Sequence, residues 1–231
     1  MAGKERAVIQ KYGIFDLDGT LLDSMQVWNG IGELFLHRRG ILPPADLQET
    51  LQPMSLSQAV HYLKTRFSLE EEEPLLMGQI SAMVAERYFY EVPLKPGVED
   101  YLELLKKYGA SLCVVTASEH EHARRALERL KVDSCFDFIM TCTQTGLSKD
   151  SPEIFRLASR ELGACCRMIT VYDDALHALK SAAAAGCVTV GVYDPSSEGD
   201  TLQIKSLCDR YIVSFQELID QLREQGSVAL W

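Results

Sequence analysis

The sequence predicts an α/β protein: a doubly wound parallel sheet with a block of helices inserted into it. Three observations carry this. Short apolar runs alternate with helical stretches from about residue 97 onward, the rhythm of βαβ units. A first apolar run, Gly13-Ile14-Phe15, stands apart before residue 24. Between the two, residues 24–92 read as helix throughout. The expected division is a core of residues 1–23 and 93–231, with a helical cap at 24–92 placed to act as a lid.

The first run ends in Asp16-Leu17-Asp18-Gly19-Thr20-Leu21. In an extended strand residues i and i+2 point to one side, so Asp16 and Asp18 are expected to face one small volume. Two carboxylates held that close repel unless a cation or a shared proton relieves them. Gly19 lets the chain turn sharply, and strand ends are where open α/β sheets place ligands. A calcium loop needs further acids at positions 5 and 12 counted from Asp16. The chain has Thr20 and Val27 there, so that reading fails.

In the helical block, Val27, Trp28, Ile31, Leu34 and Phe35 recur at helical spacing, and Gly40 is a stop. Pro43-Pro44 interrupts the chain. Ser55 to Gln58 has capping-box spacing before a helix to about Phe67, and Ser68 to Glu71 repeats it before a helix to about Tyr90. Glu70 to Glu73 is expected to form a solvated first turn of that helix. The stretch 92–97 reads as a linker.

Beyond it come a helix over 98–108, a strand over 111–115 ending at Thr116, and a helix opened by a Ser118-to-Glu121 capping box. A short strand at 138–140 and a polar loop follow, and Ser151-Pro152 opens the next helix. A strand over 168–172 ends at Asp173-Asp174, and an alanine-rich helix from Ala175 stops at Gly186. A strand over 188–192, a turn at 194–197, a weak strand near 211–213 and a final helix after Ser214 complete the chain.

The formal net charge of −10 over 231 residues, with no basic cluster larger than a pair, argues against nucleic acid as a partner. The first residues lack the apolar core of a signal peptide, and no run is long enough to span a membrane. Seven scattered cysteines without a C-x-x-C are expected to be reduced and mostly buried, in a cytoplasmic protein.

Three apolar strands thus end in Asp16, in Thr116 and in Asp173-Asp174 on one edge of the sheet, and the loop 146–152 adds Lys149. Four carboxylates, a hydroxyl and a lysine fit a hard divalent cation, magnesium above all, and an anionic group beside it. The set is compatible with phosphoryl transfer through a covalent aspartyl-phosphate.

The order and content of these segments resemble the haloacid dehalogenase-like superfamily over nearly the whole chain, and most of all its phosphatases and phosphomutases with a small helical cap. The resemblance implies a Rossmann-like core. It implies that Asp16 is the nucleophile and a metal ligand, and that Asp18 is the general acid and then base, which we also place among the metal ligands. Thr116 and the Ala117 amide would bind the phosphoryl group. Lys149 would offset charge on nucleophile and phosphate, Asp174 would be the direct magnesium ligand, and Asp173 a supporting acid. The lysine loop, Ser148-Lys149-Asp150-Ser151-Pro152, departs from the common G-K-P-x-P form, which puts its local shape in doubt.

Members that cleave carbon–halogen or carbon–phosphorus bonds lack an acid at the position of Asp18, so the resemblance implies an oxygen leaving group. The expected function is magnesium-dependent hydrolysis of a small phosphorylated metabolite by a monomer or weak homodimer. Alternatives are a β-phosphoglucomutase-like sugar phosphomutase, weakened because Trp28 stands where mutases have a histidine, and a non-catalytic binding protein. His120 and His122, two apart, are expected as exposed first-turn residues, and His37, His61 and His177 have no evident partner.

Overall fold

The computed structural model describes residues 11–24, 27, 30–51, 54 and 56–224. It divides into two compact units, Met1–Asp23 with Pro93–Trp231, and Ser24–Val92. Trp28 and Ser55 lie outside the described residues.

The first unit is built on a six-stranded sheet of β1 (Tyr12–Phe15), β2 (Ser111–Thr116), β3 (Phe138–Thr141), β4 (Ile169–Asp173), β5 (Val188–Val192) and β6 (Arg210–Ile212). The spatial order is β3-β2-β1-β4-β5-β6, and every pairing is parallel. Burial on both faces explains why these strands read as continuous apolar runs rather than alternating ones. Successive residues serve opposite layers. Ile14 joins Cys113, Val115 and Val171 in a core with Ile154 and Phe155 and with Ala178 and Ala182. Those four come from the helices Pro152–Glu161 and Leu176–Ala185. Phe15 faces the other way and stacks on Tyr172 with ring centroids 4.3 Å apart. Tyr101, from the helix Val98–Lys107, and Phe215 pack against Tyr172 in the same layer. The buried hydroxyls of Tyr101 and Tyr172 hydrogen-bond at 2.7 Å, satisfying two groups that would be costly to leave alone.

The second unit holds four helices among the described residues: Ile31–His37, Leu47–Leu51, Leu56–Phe67 and Glu73–Tyr90. Phe35, Leu36, Leu47, Val60, Leu63, Leu76 and Ile80 form its own core. The long helix starts at Glu73, not near Ser68. Pro74 is the reason: its missing N–H and fixed φ suit a first turn, whereas deeper in a helix its ring would clash with the preceding turn. Ser68 adopts a left-handed φ of 53° instead of capping. Glu71 pairs with Arg39 and Glu73 with the His61 ring, while Glu70 and Glu72 stay exposed, so the acidic run is partly paired and partly solvated.

Two further helical pieces differ from expectation. Thr141 and Gln144 form a reciprocal capping box that starts the short helix Cys142–Thr145. The turn at 194–197 continues as a 3-10 stretch, Pro195–Asp200, into the helix Thr201–Leu207. All seven cysteines are unpaired; Cys113, Cys135 and Cys187 are buried, while Cys165 is exposed. Among the described residues no helix is long and apolar enough to cross a membrane.

Candidate active site

The strand order reverses at β1, where successive crossovers run to opposite sides, and this is the place at which open parallel sheets bind ligands. Asp16 follows β1 directly, and its amide donates to Tyr172 O at 2.9 Å, continuing the ladder to β4 by one residue. Asp173 ends β4, Asp174 follows it, and Thr116 ends β2 on the other side of β1. The sequence-predicted acids Asp16, Asp173 and Asp174 are all buried, and each offers an oxygen within 4.8 Å of the others.

Lys149 is placed among them by the turn before the helix Pro152–Glu161. Ser151 N donates to Ser148 O at 3.1 Å, and the Ser151 side chain caps the helix. The unusual loop thus still delivers its lysine. Lys149 Nζ lies 2.5 Å from Asp16 Oδ1 and donates to Asp173 Oδ2 at 2.7 Å. Asp173 Oδ1 accepts from the Ala175 amide at 2.9 Å. Asp174 is held through two hydroxyls: Thr20 Oγ1 donates to its Oδ1 at 3.1 Å and Ser197 Oγ to its Oδ2 at 3.0 Å. Gly19 lets this carboxylate come close. Its φ is +80°, and a Cβ there would lie 2.8 Å from the Asp174 carboxyl atoms.

With all three ionised, the buried carboxylates against one ammonium would leave two negative charges uncompensated. The titration directions express this. Burial pushes the Asp16 carboxyl well above its ordinary range; Lys149 opposes this and the Asp173 and Asp174 charges reinforce it. Burial, then Asp173, raises the Asp174 carboxyl to about 6. Burial disfavours charge on Lys149, but Asp16 and Asp173 outweigh it and the ammonium is held more tightly than usual. An excess of two charges on hard oxygen donors fits one divalent cation, so the donor set suits magnesium.

The sequence reading put Asp18 among the metal ligands and Asp173 in a supporting place. The three-acid group contains Asp173 and not Asp18. Strand alternation does not apply to Asp18, because β1 ends at Phe15: Leu17 is fully buried and its carbonyl accepts from both Leu21 N and Leu22 N, so Asp18 lies in a turn. Its Oδ2 accepts from Ser118 Oγ at 2.5 Å. Ser118 is therefore not the helix cap that the spacing predicted. The helix His120–Arg129 is preceded by Glu119, with no side-chain capping bond. Ser118 N donates to Thr116 Oγ1 at 3.0 Å, which leaves the buried Thr116 its one hydroxyl proton for another acceptor. Ala117, exposed, lies between them.

Sequence reasoning missed Ser118, Thr20 and Ser197 as site residues. The hydroxyl of Thr20, two residues beyond Asp18, was a visible signal; Ser197 sits in a polar turn and offered none. His120 and His122 are half-buried in the first turn of their helix, and the exposed His61 pairs with Glu73 at 2.8 Å.

Comparison with known proteins gives three findings. The sequence profile of the haloacid dehalogenase-like hydrolases matches residues 13–192. Phosphoglycolate phosphatases of two Neisseria species are similar: that of Neisseria gonorrhoeae is 30% identical over 222 residues, 91% of this chain and 92% of the relative. That of Neisseria meningitidis is 31% identical over 183 residues, covering 77% of this chain and 78% of the relative. A candidate beta-phosphoglucomutase from Thermotoga maritima shares the fold with a TM-score of 0.81 at 20% identity, covering 92% of this chain and 98% of that one.

Proposed function

The chain belongs to the haloacid dehalogenase-like hydrolase family and is a phosphatase, and we propose that it is a magnesium-dependent hydrolase of a small phosphomonoester acting through a phosphorylated Asp16. The observation that carries this reading is Lys149, buried and bridging Asp16 and Asp173 at the ends of adjacent strands. An ammonium in that place opposes the burial that raises the Asp16 carboxyl and offers positive charge to an incoming phosphate.

Asp16 Oδ attacks phosphorus and the bond from phosphorus to the leaving oxygen breaks. Asp18 gives that oxygen its proton. Asp18, now a carboxylate, takes a proton from water as the water oxygen attacks the same phosphorus, which releases Asp16 and inorganic phosphate. Thr116 Oγ1 and the Ala117 amide hold the phosphoryl oxygens, helped by Lys149. Asp16, Asp173 and Asp174 would hold magnesium, which supplies Lewis-acid stabilisation of charge on the phosphoryl oxygens. Thr20 and Ser197 orient Asp174.

The helical unit Ser24–Val92 acts as the lid in this proposal. Its two connections leave the core side by side: Leu22 pairs with Leu94, and Asp23 N donates to Pro93 O at 3.0 Å. Such paired crossings are suited to hinging. Unchanged protease accessibility of the helical unit on adding a phosphate analogue would oppose that role.

Phosphate release from a panel of phosphomonoesters with magnesium tests the function. Phosphoglycolate comes first on the panel, since the Neisseria relatives are named for it. Release that disappears in Asp16→Asn is expected. Interconversion of hexose phosphates without net release would favour a mutase, and no turnover across the panel would favour a binding protein.

A further inference from the structure

We propose that Ser118 is a positioning residue for the acid–base step, holding the Asp18 carboxylate from a backbone that Thr116 fixes. The proposal rests on the phosphatase reading above and adds to it a residue outside the acid, hydroxyl and lysine set. The observation is a contact with two ends. Ser118 Oγ lies 2.5 Å from Asp18 Oδ2, although 100 residues separate them in sequence. At the other end Ser118 N donates to Thr116 Oγ1 at 3.0 Å. The hydroxyl that ends β2 therefore fixes the main chain of the residue that fixes Asp18.

A serine hydroxyl has one proton to give. Given to Asp18 Oδ2, it ties down that oxygen and assigns the mobile proton to Oδ1. The restraint matters because Asp18 sits in a turn and is half-buried, so its side chain would otherwise sample several rotamers. A general acid works only within hydrogen-bond reach of the oxygen it protonates. Ser118 keeps its own proton throughout, so it is neither acid nor base. The competing use of this hydroxyl, capping the helix His120–Arg129, is not made. One residue thus couples the group that holds the phosphoryl oxygens to the group that serves the leaving oxygen.

The test compares wild type, Ser118→Ala, Ser118→Thr and Asp18→Asn in magnesium on two substrates. One is the best alkyl phosphate of the panel. The other is p-nitrophenyl phosphate, whose leaving group needs no proton. The readout is kcat/KM, which reports the transfer to Asp16. Ser118→Ala is expected to lose on the order of tenfold on the alkyl phosphate and less than about twofold on the aryl phosphate. Asp18→Asn should show the same selectivity more strongly, and Ser118→Thr should restore most of the loss. If melting shows the alanine variant to be unfolded, the threonine variant and Ser118→Cys, a weaker donor, carry the comparison. Equal losses on both substrates would overturn the proposal, because a packing defect or a substrate contact does not select for the leaving group. Wild-type rates in Ser118→Ala on the alkyl phosphate would overturn it too. A wild type that turns over neither substrate would sink the phosphatase reading itself, a distinguishable failure that removes this proposal with it.

Discussion

Lys149 Nζ lies 2.5 Å from Asp16 Oδ1, a contact between a loop lysine and the first residue beyond β1. The same ammonium bonds Asp173 at 2.7 Å, so one buried cation ties together the ends of two neighbouring strands. The pair is expected to act as a structural clamp and to offset part of the site's negative charge, two roles that experiment can separate.

Replacing Lys149 by Met leaves Asp16 and Asp173 without their shared cation. Removing one partner of a buried ion pair costs about 3–5 kcal/mol. Urea denaturation should show a loss of that order, and phosphate release should fall at least about 100-fold. A variant as stable as wild type would contradict the clamp.

Chelation should abolish phosphate release, and magnesium should restore it. Bound magnesium should also raise the melting temperature, with about 2.7 kcal/mol of stabilisation at a hundred times its dissociation constant. Thr20→Val or Ser197→Ala, each removing one hydroxyl from Asp174, should weaken magnesium about tenfold in a melting titration. Full activity in excess chelator would refute the metal requirement.

Gly19→Ala tests the close approach of chain to carboxylate. Both a left-handed φ and a Cβ lying 2.8 Å from Asp174 stand against it. Gly109→Ala is the control, since its φ is also positive, +75°, but a Cβ there meets nothing within 4 Å. Both should lose about 1 kcal/mol from backbone strain, while only the first should weaken magnesium and slow turnover. Equal magnesium affinity in the two variants would count against the packing argument.

The Tyr101–Tyr172 pair predicts alkaline sensitivity. Burial pushes the Tyr101 phenol up to about 12, more than its hydrogen bond with Tyr172 lowers it. The folded state therefore holds this proton more tightly than the unfolded chain, whose phenol titrates near 10. Stability is complete below about pH 10 and falls by about 1.4 kcal/mol per pH unit from there towards pH 12. Tyr101→Phe should remove this share of the alkaline loss. It should also cost about 1 kcal/mol at pH 8, because the Tyr172 hydroxyl loses its partner. An unchanged difference between urea midpoints at pH 8 and pH 11 would disprove the assignment.

Much of the site was legible because its chemistry sits at strand ends. An apolar run that stops at an acid or a hydroxyl marks both the strand and the edge it reaches, so Asp16, Thr116 and Asp173 could be placed from the chain alone. Lys149 could be proposed because Pro152 marks the helix start just beyond it. The misreadings arose where one local pattern had two physical outcomes. Ser118 has cap spacing, yet a carboxylate 100 residues away takes its hydroxyl. Ser68 has cap spacing too, but Pro74 moves the helix start to Glu73. Asp18 alternates with Asp16 only if the strand continues, and the turn at Leu17 ends it.

The sequence by itself determined the α/β class, the helical insertion and which acids, hydroxyl and lysine stand at strand ends or just before a helix, since each depends on periodicity or on residues adjacent in the chain. Only the tertiary structure decided which oxygen meets which proton. That Asp173 rather than Asp18 joins the three-acid group, that Lys149 bridges two strands, and that Thr20, Ser118 and Ser197 orient the acids all depend on contacts a few ångströms long between residues far apart in sequence. Hydrogen bonds of that kind are set by strand order and turn geometry, which local propensity does not encode.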